Sequence, residues 1–198
     1  MEIATKRLRI YCNRQEICAI IIIDIDFSLK GVIYLYIKKN IRILGIDPGY
    51  AIVGFGILDY DGFRFTPVEY GAITTDAGTD FSRRLRAIHE DTEFIFEKFK
   101  PDCLAIERLY FTTNQKTAID VAQARGIVLL SSAMRNIPVS EYTPLQVKQS
   151  VVGYGKAEKR QVMEMTRQIL GLANIPKPDD AADALAIAIC HGHTSRFG

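Results

Sequence analysis

Ile41-Arg42-Ile43-Leu44-Gly45-Ile46-Asp47-Pro48-Gly49 decides how this chain is read. An apolar run ends in an acid and then in Pro-Gly, the pattern of a buried strand that stops at a turn. Ile52–Tyr60 and Phe63–Thr75 predict two further strands around Asp61-Gly62, a strong hairpin signal. Phe81, Leu85, Ile88, Thr92, Ile95 and Phe99 recur at three- and four-residue steps and predict a helix, with Asp80 as N-cap and Pro101 past its end. Asp102–Glu107 is a short strand around Cys-Leu-Ala-Ile. Lys116–Asn136 is a second long helix, and Pro138–Tyr142 a fifth strand. Thr143 caps a short helix through Ser150, followed by helices over Ala157–Leu170 and from about Asp179 to His191. The order βββαβαβ followed by helices is that of a mixed α/β domain, opened by a hairpin and completed by crossover helices.

Composition sets outer limits. The 198 residues, 48% hydrophobic and 24% charged, suit one ordinary globular domain. Net charge is +2, but residues 1–40 hold seven Lys/Arg against four Asp/Glu, and residues 41–198 hold 18 against 19. Any nucleic-acid contact must therefore come from locally gathered basic groups. Cys12, Cys18, Cys103 and Cys190 match no metal spacing and suggest free thiols in a reducing cytosol. The apolar run Ile17–Ile23 ends at Asp24, far short of the about 20 residues a membrane-spanning helix needs. No small-residue cleavage site follows it either. Ile17–Phe27 and Val32–Ile37 could form a hairpin around Ser28–Gly31. Residues 1–40 are expected to be an appendage, with the functional domain over 41–198; a chain beginning near Ile41 should fold and act normally.

Asp47 and Glu107 each end a strand, where ligands gather in open α/β sheets. Singly, each is an ordinary solvated strand end; together they stand out because neither strand carries another acid at its core. The last helix is otherwise small and apolar. In it Asp180 and Asp183 are three residues apart and Asp179 and Asp183 four, so either pair shares a face. Helix-dipole stabilisation explains Asp179 and Asp180 well but Asp183, a turn further in, poorly. The small residues Ala181, Ala182, Ala184, Ala186 and Ala188 allow this helix to approach the sheet closely and bring its acids beside Asp47 and Glu107. Carboxylates gathered this way repel one another unless cations neutralise them. All-oxygen ligands without His or Cys point to Mg²⁺, two ions for phosphodiester hydrolysis, with Mn²⁺ able to substitute.

Ile-Leu-Gly-Ile-Asp-Pro-Gly at 43–49, Ala-Ile-Glu at 105–107, Gln-Ala-Arg-Gly at 123–126, Val-Lys-Gln-Ser-Val-Val-Gly at 147–153 and Asp-Ala-Ala-Asp-Ala-Leu-Ala at 180–186 together resemble the RuvC family of bacterial Holliday-junction resolvases. The resemblance runs in order from Ile41 to about Ser195. It implies a ribonuclease H-like fold with a mixed five-stranded sheet flanked by helices. It implies a Mg²⁺-dependent homodimer in the bacterial cytoplasm that cuts opposed strands of four-way junction DNA, with no membrane and with a RuvA–RuvB branch-migration complex as partner. It assigns metal ligation and catalysis to Asp47, Glu107, Asp180 and Asp183, and leaves Asp179 as a helix cap.

The family has an aromatic that stacks on an unpaired base, here Tyr110 or Phe111; one of the two could instead be core. Lys148, Lys156, Lys159 and Arg160 face a single acid, Glu158, in what composition alone would make a solvated run. The family's basic loop turns Lys148 and Lys159 into phosphate contacts, with Lys116 a further candidate. Arg83, Arg84 and Arg86 are expected on a solvated helix face, and His191 and His193 to complement a helix terminus. Ile119, Ala122, Ile127, Leu130 and Ala133 supply apolar surface for both core and dimer. The alternatives are another nuclease of the same fold, and an actin/sugar-kinase-type ATP-binding protein, for whose second domain 198 residues leave little room. A catalytically dead junction-binding module is disfavoured by the presence of all four acids.

Overall fold

The computed structural model describes residues 6–10, 21–25, 33–37, 40–109 and 115–195, with side chains for 40–109 and 118–195. Three short strands, β1 (Lys6–Ile10), β2 (Ile21–Ile25) and β3 (Ile33–Ile37), form one antiparallel sheet in that order. The Ser28–Gly31 turn, Cys12 and Cys18 lie outside the described residues. The remainder runs β4 (Ile41–Asp47), β5 (Ile52–Tyr60), β6 (Phe65–Thr74), α1 (Phe81–Phe99), β7 (Cys103–Glu107), α2 (Gln115–Met134), β8 (Val139–Tyr142), α3 (Pro144–Val152), α4 (Lys159–Ile169) and α5 (Asp179–Thr194). Its five strands are ordered β6-β5-β4-β7-β8. The β4–β5 and β5–β6 pairs are antiparallel, and β4–β7 and β7–β8 are parallel. This is the mixed five-stranded α/β sheet expected.

Strand alternation sends successive side chains to opposite faces. Leu44, Ile46, Leu104 and Ile106 join Val53, Ile57 and Ile73 against α1 and α2. Ile41, Ile43, Cys103 and Ala105 join Leu58 and Tyr60 against α3, α4 and α5. Both faces are covered, so Ile43–Ile46 of β4 and Cys103–Ile106 of β7 are continuous apolar runs rather than alternating ones. Asp47 and Glu107 continue the second series by parity and project on the α5 side.

Local signals explain several boundaries. Asp80 Oδ2 accepts from Ser82 N at 3.1 Å and starts α1. Thr143 and Gln146 form a reciprocal capping box ahead of α3. Asn136, with φ 55°, turns the chain after α2. The β5–β6 connection is longer than a two-residue turn: Tyr60 pairs with Phe65, leaving Asp61–Arg64 as the loop. Asp61 Oδ1 accepts from the amides of Phe63 and Arg64, and those local bonds compete with extending β6 back to Phe63. Helix α4 begins at Lys159 rather than Ala157, because Glu158 and Gln161 make their own capping box there.

Arg84 departs from the expected solvated face. It is buried, lies 4.6 Å over the Tyr50 ring, and donates to Thr75 Oγ1 and to the Tyr50 carbonyl. It thereby pins the loop that follows Asp47. Arg86 does lie at the surface, paired with Glu90 one turn on.

Candidate active site

The terminal residues of two neighbouring parallel strands start the site. Ile46 is in register with Ile106, which brings Asp47 and Glu107 together on the α5 face. Helix α5 crosses β4 and β5 at close range. Cross-strand neighbours Gly45 and Gly56 lie beneath it, and Gly54 faces the backbone of Asp180. A side chain at Gly45 would overlap the Ala184 carbonyl oxygen, so the approach depends on glycine in the sheet as well as alanine in the helix.

A cleft of about 260 Å³ opens where these elements meet. Asp47, Glu107 and Asp183 line it, with Lys148, Lys159 and the apolar Val147 and Val162. Asp180 sits a turn earlier, over Gly54, and its charge is felt at Asp47. Burial, and then the charges of Glu107, Asp183 and Asp180, push the Asp47 carboxyl from 3.8 up to about 8. Glu107 is raised by burial and by Asp183, while a hydrogen bond with Asp47 partly opposes that rise. The Asp47 and Glu107 carboxyls thus act directly on one another. Asp183 is raised by burial too, but Lys159 Nζ lies 2.9 Å away and holds it toward the ionised form.

Among the described residues, no three His, Cys, Asp or Glu side chains converge closely enough to form a finished metal shell. The Lys159 ammonium beside Asp183 offsets part of the repulsion. The donor chemistry nevertheless fits a hard divalent cation: four carboxylates, with neither His nor Cys among them. Removing the proton at Asp47 and swinging Lys159 off Asp183 would leave oxygen donors on three elements facing one cleft.

Asp179 is not the cap of α5. Pro178 holds that position, while Asp179 is the first helical residue and pairs with Lys177 at 3.2 Å and Lys159 at 4.0 Å. Lys156 and Arg160 are exposed and do not line the cleft. Tyr110 and Phe111, and the side chain of Lys116, lie outside the described residues. Arg125 was missed as a supporting residue. It reaches from α2 to the Glu107 carbonyl at 3.3 Å and to Glu141 at 2.7 Å. Its place in Gln-Ala-Arg-Gly was the available signal. His191 is no exposed terminal feature: it is buried, at 3% exposure, among β7 and β8 side chains. His193 is exposed and meets Ser150.

Residues 43–191 match the family model described as crossover junction endodeoxyribonuclease RuvC. A protein of that name from Ruminiclostridium cellulolyticum is 54% identical over 156 residues, covering 79% of this chain and 94% of its own. Its namesake from Caldanaerobacter subterraneus is 51% identical over 156 residues, with the same coverage of both chains. Among solved structures, Thermus thermophilus RuvC in complex with Holliday junction substrate superposes with a TM-score of 0.75 at 34% identity, covering 79% of this chain and 95% of that one. The yeast mitochondrial Holliday junction resolvase shares the fold, with a TM-score of 0.57 at 16% identity, over 78% of this chain and 80% of its own.

Proposed function

We propose that this chain, which belongs to the RuvC family of crossover junction endodeoxyribonucleases, resolves four-way DNA junctions at the cleft between β4, β7 and α5. The observation that carries this reading is the convergence of Asp47, Glu107 and Asp183 on one cleft edged by lysines, with Asp180 a turn earlier on the same helix and its charge raising Asp47. Family membership implies a divalent metal; we assign it as Mg²⁺, two ions held by these four residues, with Mn²⁺ as a substitute. When bound, the ions would supply Lewis acidity at the attacked phosphate and its leaving oxygen. The reaction is hydrolysis: a water oxygen bonds to phosphorus, the bond to the 3′ oxygen breaks, and a 3′ hydroxyl and 5′ phosphate result. Asp47, Glu107 and Asp180 act as ligands. Asp183 also orients the attacking water. Lys159 and Lys148, at the rim, bind the scissile strand's phosphates, with Lys156 and Arg160 extending that contact and Tyr110 or Phe111 stacking on a base. Lys159 cannot serve Asp183 and a phosphate fully at once, so phosphate entry favours release of the acid.

Cutting opposed strands together calls for a two-fold dimer. Ile119 and Leu130 are each 54% exposed and Met134 69% exposed on α2, an unburied apolar seam on a helix whose other face packs into the core. Leu130→Glu is expected to give a monomer by sedimentation, and to turn paired incisions into slow single nicks. An unchanged dimer would move the interface elsewhere.

The region matched by the family starts at residue 43, which supports residues 1–40 as an appendage to a nuclease domain at 41–198. A chain starting at Ile41 should keep wild-type solubility and cleavage; insoluble protein would count against that division. No described helix is long and apolar enough to cross a membrane. A cytoplasmic site of action and a RuvA–RuvB partner complete the reading. Its test is a synthetic four-way junction with Mg²⁺. Paired nicks on the junction are expected, with little cutting of linear duplex or RNA–DNA hybrid and a steep loss of binding with salt. Equal cutting of all three substrates would favour a general nuclease of the same fold.

A further inference from the structure

The three elements that carry the acids are also joined by a buried polar chain. His191 lies on α5, eight residues beyond Asp183, and is 3% exposed. Tyr142, the register partner of Glu107 on β8, is 8% exposed, and Cys103, at the start of β7, is 1% exposed. Thr194 Oγ1 donates its proton to the Cys190 carbonyl at 2.6 Å and lies 3.1 Å from the Tyr142 hydroxyl, which is 2.8 Å from His191 Nδ1 and can donate to it. His191 Nε2–H then faces Cys103 Sγ at 3.2 Å, and the Cys103 thiol points to the Arg42 carbonyl of β4 at 3.9 Å. Ser195 Oγ, donating to the His191 carbonyl at 2.7 Å, closes over the ring.

Each link fits a neutral imidazole with one donor and one acceptor nitrogen. A buried imidazole without these partners would carry an unmet polar cost that Leu or Phe would not. The ring therefore has one favourable seat, and that seat sets how far α5 lies along the sheet. The rest of the contact is apolar and non-directional, with Ala184 and Ala188 over Gly45 and Leu185 over Gly56, so these hydrogen bonds are its directional part.

We propose that His191 is a positioning residue for the metal site. Its hydrogen bonds to Tyr142 and Cys103 fix the axial setting of α5, and with it the distance of Asp180 and Asp183 from Asp47 and Glu107. This rests on the reading of the four acids as metal ligands, and the test separates the two claims. Mn²⁺ is titrated into the full-length protein without DNA, and kcat and KM are measured on a junction. Asp47→Asn serves as the reference for the metal reading: if it binds Mn²⁺ as wild type does, that reading fails whatever His191 does. His191→Phe fills the same space without the hydrogen bonds. It is expected to weaken Mn²⁺ binding about tenfold, the lower end of what residues that orient metal ligands contribute, and to lower kcat with KM unchanged. His191→Gln, which keeps a donor and an acceptor, should recover part of both losses. Ile95→Val, on the other sheet face, should lower the melting temperature without moving Mn²⁺ affinity. If His191→Phe does not fold, Tyr142→Phe, which removes a single hydroxyl, decides in its place. Wild-type Mn²⁺ affinity and kcat in whichever of these two variants is read, with Asp47→Asn impaired, would overturn the proposal.

Discussion

Asp47→Asn is expected to bind a four-way junction as tightly as the wild type and to cut it at least about 1000-fold more slowly, the rate cost of losing ~4 kcal/mol of transition-state stabilisation. Asp47 joins neighbouring Glu107 to the acids of α5, so losing its charge weakens the whole ligand set. The same variant should be more stable than the wild type in EDTA at pH 8. The sign follows from the carboxyl, whose folded-state value is raised from 3.8 to about 8 by burial and by Glu107, Asp183 and Asp180. Between those limits the folded protein holds a proton that the unfolded chain has released. The contribution of Asp47 to stability without metal is therefore fully present below about pH 4 and is lost as pH rises toward and through 8. Asparagine removes that dependence, because it has no charge to lose burial for. Divalent metal should raise the melting temperature of the wild type at pH 8 and do much less for the variant. Melting curves at pH 5 and 8, with EDTA and with Mg²⁺, check all of this. A wild-type curve that does not move with pH would mean that Asp47 is not held against its neighbours as described.

Gly45→Val should be among the most damaging single changes in the chain. The added Cβ would overlap the Ala184 carbonyl oxygen and crowd Ala188, both part of a helix with no room to yield. Ala184 and Ala188 are fully buried, as are their neighbours Leu185 and Ile189. A loss of about 3 kcal/mol or more is expected, from overpacking a close helix–sheet contact. The midpoint of urea unfolding measures it. Whatever fraction stays folded should bind Mn²⁺ weakly, since lifting α5 carries Asp180 and Asp183 away from Asp47. A normal urea midpoint would show that the helix can back away from β4 at little cost.

These two positions mark how far the amino-acid order could be followed. Asp47 was visible at once, because an acid after Ile43-Leu44-Gly45-Ile46 and before Pro-Gly has little reason to be there except a turn or a ligand. The strand series, Asp80 and Thr143 as caps, and Asn136 as a stop were visible for the same reason: each depends on residues within a few positions of one another. The parity that puts Asp47 and Glu107 on one sheet face follows from counting by twos, but that α5 covers this face is seen only in the folded chain. The hairpin loop was partly hidden, because Asp61 could spend its carboxylate on either a tight or a wide turn.

Other features depended on contacts that no local pattern encodes. Arg84 and Arg86 occupy one stretch of helix; Arg84 is buried on Tyr50 and Arg86 pairs with Glu90 at the surface. Lys159 in a basic run looks like any solvated lysine until α4 brings its ammonium to Asp183. Asp179 looks like a cap until Pro178 takes that position and two lysines claim its carboxylate. His191 looks like a terminal charge until β7 and β8 close around its ring. By itself, then, the sequence determined the order of elements, their caps, and which residues could carry the chemistry, because propensity, period and capping act over a few residues. The tertiary structure decided how closely α5 meets the sheet and which charges pair in the cleft. Burial and Coulomb energies depend on distances between segments more than 100 residues apart along the chain, such as Asp47 and Asp183.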